Sequence, residues 1–108
     1  MNTAIRERIV STIQSKPVVL FMKGNKAVPQ CGFSAQVVSI LSRQQVDFLD
    51  VDILSDPELR QGLKEFSSWP TFPQLYVAGK LVGGADIVSA MSQNGELGRV
   101  LAVAEAVS

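Results

Sequence analysis

The feature of this sequence that most restricts its fold is a cysteine placed between an apolar strand and an amphipathic helix. Residues 18–22 are all apolar and predict a buried strand. A loop at 24–30 leads to Cys31, and apolar side chains then recur at the spacing of one helix face, at Phe33, Val37, Ile40 and Leu41. The range 46–53, which contains Phe48, Leu49 and Val51, predicts a second strand, parallel to the first. The pattern therefore predicts an α/β fold with a cysteine at the start of a helix.

The position of Cys31 predicts a reactive thiol. A thiol in the first turn of a helix faces unpaired backbone N–H groups and the positive end of the macrodipole, and both lower its pKa below the free value of roughly 8.5. Lys23, at the end of the preceding strand, can add a positive charge. The thiolate is the form that attacks disulfides and binds metals. A lone cysteine is more often an inert buried thiol, and it is the placement of Cys31 that favours a functional interpretation.

The composition predicts a single globular domain, residues 1–108, with few options for metal or catalytic chemistry. Hydrophobic residues make up 46% of the chain and charged residues 19%, which favours a packed core over disorder. With one cysteine and no histidine, the chain lacks an intramolecular disulfide, imidazole-based catalytic triads and the usual zinc ligand sets. Any metal bound through Cys31 therefore needs further ligands from outside the chain.

Charge and hydropathy argue against two kinds of partner. Ten basic residues balance ten acidic ones, and no basic stripe with interleaved aromatic residues occurs, so we expect no nucleic-acid partner. No apolar run is long enough to cross a bilayer, so we expect no membrane partner. A free, activatable thiol fits a reducing compartment, which is the cytoplasm, or an organelle if a presequence has been removed.

The remaining periodicities predict helices around a small mixed sheet. A first helix, capped by Asn2 or Thr3, precedes the first strand. The capping-box spacing at 55–58 predicts another helix, which Gly62 weakens. A hairpin at 74–82 is followed by a helix and then by a last helix at 97–104. The helix after the hairpin is predicted to have Asp86 as its N-cap and to turn three apolar side chains inward, Ile87, Val88 and Met91.

Four separated motifs in this order, at 22–24, 31–34, 69–74 and 83–87, resemble the monothiol glutaredoxins of the CGFS type. The resemblance covers nearly the whole chain. It implies a thioredoxin-like fold, with a four-stranded mixed sheet flanked by about five helices, and a glutathione site. It also implies a [2Fe-2S] cluster that is held between two subunits and passed to acceptor proteins.

The resemblance also implies which residues bind glutathione. Lys23 and Arg60 receive a carboxylate, although either one alone is equally consistent with a solvated surface charge. Asp86 takes the γ-glutamyl end together with backbone groups at a helix start, although it is also a plain N-cap. A cis bond before Pro73 exposes the preceding backbone for pairing with the tripeptide. Trp69 is interpreted as mainly structural. The implied glutathione site comprises Lys23, Cys31, Gly32, Phe33, Arg60, Thr71, Phe72, Pro73, Gly84, Ala85 and Asp86.

The ligand count of a cluster is consistent with this resemblance. Cysteine-type ligation of a [2Fe-2S] cluster requires four thiolates. Cys31 from two chains supplies two of them, and two glutathione molecules can supply the others. We therefore expect a homodimer when the cluster is bound and a monomer without it. The resemblance further implies BolA-type proteins and iron–sulfur acceptor proteins as partners.

Two departures from dithiol or cysteine-richer relatives bear on the activity. Ser34 stands where a dithiol relative has its resolving cysteine, and a hydroxyl cannot resolve a mixed disulfide. Ala85 stands where many relatives have a cysteine, so an internal disulfide cycle is not available. The alternative function is a glutathione-dependent thiol–disulfide oxidoreductase, at most a weak enzyme, that removes glutathione from proteins through Cys31 alone. A third possibility is an adaptor in a regulatory complex with a BolA-type protein.

Overall fold

The computed structural model describes residues 1–106, and this part of the chain forms a four-stranded sheet with five helices. The strands are β1 (Val18–Met22), β2 (Leu49–Asp52), β3 (Gln74–Val77) and β4 (Lys80–Gly83). Their order in the sheet is β2-β1-β3-β4. β2 is parallel to β1, whereas the other two pairs are antiparallel. The helices are α1 (Thr3–Ser15), α2 (Gly32–Arg43), α3 (Pro57–Ser67), α4 (Ala85–Gln93) and α5 (Glu96–Ala106). The predicted mixed sheet and helix count are confirmed.

β1 is apolar throughout because both faces of the sheet are covered there. Val18, Leu20 and Met22 pack in one core cluster with side chains of α2, α4 and α5. Val19 and Phe21 pack in the other, with side chains of α1 and α3. All five residues of the strand are fully buried. Removal of this apolar area from water stabilises the three-layer arrangement.

Two helix caps and one strand differ from the prediction. Asp56 is the N-cap of α3, in place of Ser55, the first residue of the capping-box spacing. The carboxylate of Asp56 accepts the N–H of Leu59 at 3.2 Å and pairs with Arg8 of α1 at 2.6 Å. Asp86 is not the N-cap of α4, since β4 runs so directly into the helix that Gly84 takes that position and Asp86 falls in the first turn. β2 is shorter than 46–53 because its pairing with β1 begins only at Leu49. Asn2, one of the two predicted candidates, caps α1.

Gly62 is a contact point between helices rather than only a weak position in α3. A Cβ at Gly62 would overlap the Cγ2 of Ile5 on α1. The absence of a side chain therefore lets α1 and α3 approach closely.

Among residues 1–106, no helix has both the length and the apolarity needed to span a bilayer.

Gly62→Ala is expected to destabilise the chain. Overpacking against Ile5 costs about 1–3 kcal/mol, which offsets or exceeds the gain of roughly 1 kcal/mol in helix propensity. The matched control is Gly98→Ala in α5, where a Cβ would meet only the flexible side chain of Gln44, at 3.4 Å. Urea unfolding should show a lower free energy of unfolding for Gly62→Ala and an unchanged or slightly higher one for Gly98→Ala. Equal behaviour of the two variants would contradict the close approach of the helices.

Candidate functional site

A cleft of about 390 Å³ lies at one end of the sheet and gathers nearly all of the residues proposed from the sequence. Four segments border it: the end of β1 with the start of α2, the middle of α3, the segment that leads into β3, and the start of α4. Of the predicted residues only Gly32, the first residue of α2, is not part of the lining. The lining consists of Lys23, Cys31, Phe33, Arg60, Trp69, Pro70, Thr71, Phe72, Pro73, Gly84, Ala85, Asp86 and Ile87.

The sheet register brings these segments together. Phe21 pairs with Gln74, so the residues after β1 and before β3 meet at the same end of the sheet. Leu75 pairs with Gly83, which places the start of α4 beside them. The peptide bond between Phe72 and Pro73 is cis, as the resemblance implied. Segments distant in sequence therefore share one cleft because the strands that carry them are neighbours.

Cys31 is the N-cap of α2, a position whose side chain faces the free N–H groups of the first helical turn. The backbone N–H of Ser34 is the main cause that lowers the pKa of Cys31. The backbone N–H of Phe33 and the charge of Lys23 act in the same direction, while partial burial opposes them. The predicted thiolate is therefore favoured, and mainly by the nearby backbone N–H groups of the helix start rather than by the lysine.

Ser34 has a structural role in this site that the sequence did not indicate. Its side chain is fully buried, and its Oγ accepts the backbone N–H of Lys23 at 3.1 Å. Its hydroxyl also contributes to the lowered pKa of Cys31. A residue that cannot resolve a disulfide thus holds the lysine-bearing segment next to the thiolate.

The reactivity of Cys31 towards iodoacetamide should follow a titration whose midpoint lies below the ordinary pKa of a thiol. Ser34→Ala should move this midpoint upward because the hydroxyl that favours the thiolate is lost. Ser39→Ala, at an exposed position of the same helix, should leave it unchanged. Because folding lowers this pKa, ionisation of Cys31 contributes stability above the ordinary pKa, and the contribution is lost as the pH falls through the lowered value. A midpoint at or above the ordinary value in the wild-type chain would contradict the geometry.

The cleft carries opposite charges at its two sides. Lys23 is followed by Gly24, which bonds to Asp52 of β2, and Arg60 lies on α3, the helix after β2, so both cations are carried by segments connected to β2. The Nε of Arg60 is buried and has no hydrogen-bond partner within residues 1–106. On the side next to β4, Asp86 is exposed at the start of α4, and the N-cap Gly84 provides no side-chain cap. Such a cleft suits a peptide that carries both carboxylates and an ammonium group.

Two apolar residues are placed differently from the prediction. Phe33 does not join the buried face of α2; 61% of its surface is exposed, because its side chain lies on the side of α2 that borders the cleft. Ile87 was predicted to point inward but is 37% exposed at the cleft, next to Gly83. Val88 is fully buried, as predicted. Both exposed side chains give the rim of the site an apolar border.

Trp69 and Pro70 line the cleft although no site role was predicted for them. The Nε1 of Trp69 is buried without a partner in the described part of the chain, and a Cβ added to Gly84 would lie 3.4 Å from it. Nothing in the spacing of the sequence separates such a tryptophan from a core residue. Only the folded cleft shows its position.

Comparison with known proteins gives a consistent picture. Residues 18–82 match the sequence model of the Glutaredoxin family. Probable monothiol glutaredoxin 2 of Rickettsia typhi is 56% identical over 93 residues, which are 86% of this chain and 84% of that protein. Monothiol glutaredoxin-5, mitochondrial, of Saccharomyces cerevisiae is 48% identical over 110 residues, 99% of this chain and 73% of that protein. The chain spans only 21% of the length of Monothiol glutaredoxin-S17 of Arabidopsis thaliana, to which it is 50% identical over 101 residues.

The fold and the site define a thioredoxin-like protein with a single reactive cysteine at a helix N-cap. The solution structure of reduced poplar apo GrxS14 has the same fold, with a TM-score of 0.84 and 48% identity over 94% of each chain. Together with the sequence matches, this shows that the chain belongs to the glutaredoxin family, among its monothiol members.

Proposed function

We propose that the protein binds glutathione in the cleft and, as a homodimer, carries a [2Fe-2S] cluster for transfer to acceptor proteins. The observation that supports this most is a favoured thiolate, Cys31, that opens into a cleft with cations on one side and a helix start on the other. The cluster is the cargo of this activity. One chain without glutathione offers it one thiolate.

Glutathione fits the cleft by charge and by backbone complementarity. Lys23 and Arg60 bind one carboxylate, and the unpartnered Nε of Arg60 is a donor available for it. The free N–H groups at the start of α4 bind the carboxylate of the γ-glutamyl end, while Asp86 faces its ammonium group. The backbone of Phe72 pairs with the extended tripeptide. The thiol of the ligand then lies beside Cys31.

The ligand set available to iron agrees with a shared cluster. Within residues 1–106, no three His, Cys, Asp or Glu side chains group together as a metal site. Cys31 is only partly buried and borders the cleft of about 390 Å³, so its sulfur is accessible to a ligand. Two copies of Cys31 and two glutathione thiolates complete the four positions.

Anaerobic reconstitution tests the proposal directly. The chain is incubated with ferrous iron, sulfide and glutathione, and the product is measured by absorption, size and ligand content. We expect a coloured dimer with two glutathione molecules per cluster. A colourless monomer whose Cys31 is still reduced would contradict the proposal.

The lowered pKa of Cys31 also favours a second candidate, a glutathione-dependent oxidoreductase. In this reaction the Cys31 thiolate attacks the glutathione sulfur of a mixed disulfide, and the protein leaves as a thiolate. The thiolate of a second glutathione then attacks the Cys31–glutathione disulfide, which releases oxidised glutathione and restores Cys31. A mixed-disulfide reduction assay separates the candidates: turnover comparable to dithiol glutaredoxins would favour the enzyme, and negligible turnover would favour the carrier.

A BolA-type protein is the partner that we propose for the adaptor role, with a pull-down in the presence and absence of the cluster as its test.

We propose a reducing compartment for the protein, which is either the cytoplasm or an organelle. The name of the yeast relative points to mitochondria for that protein. Fractionation of cells that express the native gene, with antibody detection, distinguishes the two locations.

A further inference from the structure

The backbone of Lys23 and of the residue after it is fixed from three directions. Ser34 Oγ accepts the N–H of Lys23 at 3.1 Å, and the carbonyl of Lys23 accepts the N–H of Gln30 at 2.9 Å. The N–H of Gly24 donates to Asp52 Oδ1 at 3.0 Å. Three segments, the start of α2, the end of the loop and the end of β2, therefore determine where the lysine stands beside the cleft.

Asp52 differs from the other two contacts because it also holds the chain that leads to α3. The same Oδ1 that accepts Gly24 accepts the N–H of Leu54 at 2.9 Å. The backbone carbonyl of Asp52 accepts the hydroxyl of Ser55 at 3.2 Å. One carboxylate oxygen thus joins the segment of Lys23 to the turn from which α3, with Arg60, begins.

We propose that Asp52 is a positioning residue that sets the distance between Lys23 and Arg60, and thereby the affinity for the glycine carboxylate of glutathione. This inference rests on the proposed binding of glutathione. Asp52 does not line the cleft and is partly buried at the sheet edge, so it acts through the two backbone segments. The assignment of the glycine end follows from the charges, since Asp86 and the start of α4 suit the γ-glutamyl end.

Asp52 affects the affinity through the conformational entropy of the two segments that carry Lys23 and Arg60, since both cations must contact the same carboxylate. A carboxylate bound by both Lys23 and Arg60 requires both segments at fixed positions. If a segment must first be ordered, the entropy that it loses lowers the affinity for the ligand. Asp52 orders them before the ligand arrives. Its own negative charge acts in the opposite direction, because it lowers the attraction of the site for an anion. Geometry and charge can therefore be separated by substitution.

Two substitutions at this position make the separation. Asp52→Asn keeps an Oδ1 acceptor at the same reach and removes the charge. Asp52→Glu keeps the charge but carries the oxygens one methylene further, so the shared acceptor position is lost. Asp50→Ala is the matched control: the Asp50 carboxylate accepts the N–H of Lys26 at 2.8 Å from the same strand, but neither residue lines the cleft.

Isothermal titration with glutathione, and with its glycine monoethyl ester, tests the inference on the reduced 108-residue chain. Asp52→Glu should weaken glutathione binding about five- to tenfold and leave the affinity for the ester within twofold of wild type, because the ester lacks that carboxylate. Asp52→Asn and Asp50→Ala should bind both ligands within twofold of wild type. Thermal unfolding of each variant verifies that it is folded.

The outcomes distinguish this inference from the proposed function. If Asp52→Glu binds glutathione like wild type, if it weakens both ligands equally, or if Asp52→Asn is as weak as Asp52→Glu, the positioning role is wrong while the glutathione site stands. If the wild-type chain binds neither ligand, the proposed function fails and the inference fails with it. Should Asp52→Glu not fold, Asp52→Ala replaces it with the same expected pattern.

Discussion

Cys31→Ser is expected to abolish cluster binding and to reduce thiol exchange by at least about three orders of magnitude, since a hydroxyl is not ionised at neutral pH and binds iron poorly. Reconstitution with iron, sulfide and glutathione should leave this variant colourless and monomeric. The mixed-disulfide assay should show no turnover above the uncatalysed rate. Both losses have one cause, which is that the described site contains one sulfur nucleophile.

The same variant should keep its fold and most of its non-covalent affinity for glutathione. Lys23, Arg60 and Asp86 are unchanged, and serine is itself a good N-cap. Titration with glutathione and urea unfolding are therefore the controls. A Cys31→Ser chain that still forms a coloured dimer would contradict Cys31 as the cluster ligand. This variant does not separate carrier from enzyme, because both candidates require the thiolate.

Gly24→Ala is expected to be the most damaging of the glycine substitutions. Gly24 has φ +87°, and a Cβ there would lie 2.6 Å from the carbonyl oxygen of Val28 and 2.7 Å from the N of Gln30. The left-handed conformation alone costs a residue with a side chain roughly 1–2 kcal/mol. Because the contacted atoms are backbone, they cannot move aside without opening the loop, and overpacking adds about 1–3 kcal/mol.

The matched control is Gly79→Ala in the β3–β4 turn. Gly79 has φ +77°, but a Cβ there would meet nothing within 4 Å. The difference between the two variants in urea unfolding thus measures the clash without the conformational cost. We expect Gly24→Ala to be less stable than Gly79→Ala by at least about 1 kcal/mol, with a parallel loss of glutathione affinity. Equal stabilities would mean that the loop accommodates a side chain.

Sequence patterns were sufficient for elements whose burial is one-sided or complete. β1 was predicted with its observed ends because five consecutive apolar residues match a short strand that is covered on both faces. α1 was predicted with either Asn2 or Thr3 as its cap, and Asn2 takes that role. The predictions were wrong where neighbouring elements decide the outcome: β2 is limited by its pairing partner, and the cap of α4 by the short connection from β4.

The candidate site also contains features that local patterns predict and features that only the tertiary structure decides. The residue types that carry chemistry, Cys31 above all, could be selected from motifs, and all of the predicted set except Gly32 line the cleft. The roles of Ser34 and Asp52 could not be predicted, because their partners lie 11 and 28 residues away in the chain. The cleft position of Trp69 was missed for the same reason.

The sequence by itself determined that the protein has one sulfur nucleophile at a helix start, no imidazole and a strand buried on both faces. The residue counts are compositional, and the helix start and the fully apolar strand follow from local patterns, so all of them can be read before the chain is folded. Only the tertiary structure decided which hydrogen bonds hold the lysine-bearing segment at the cleft that contains that sulfur. Hydrogen bonds between distant segments depend on the register of the sheet, and the spacing of residues along the chain does not reveal them.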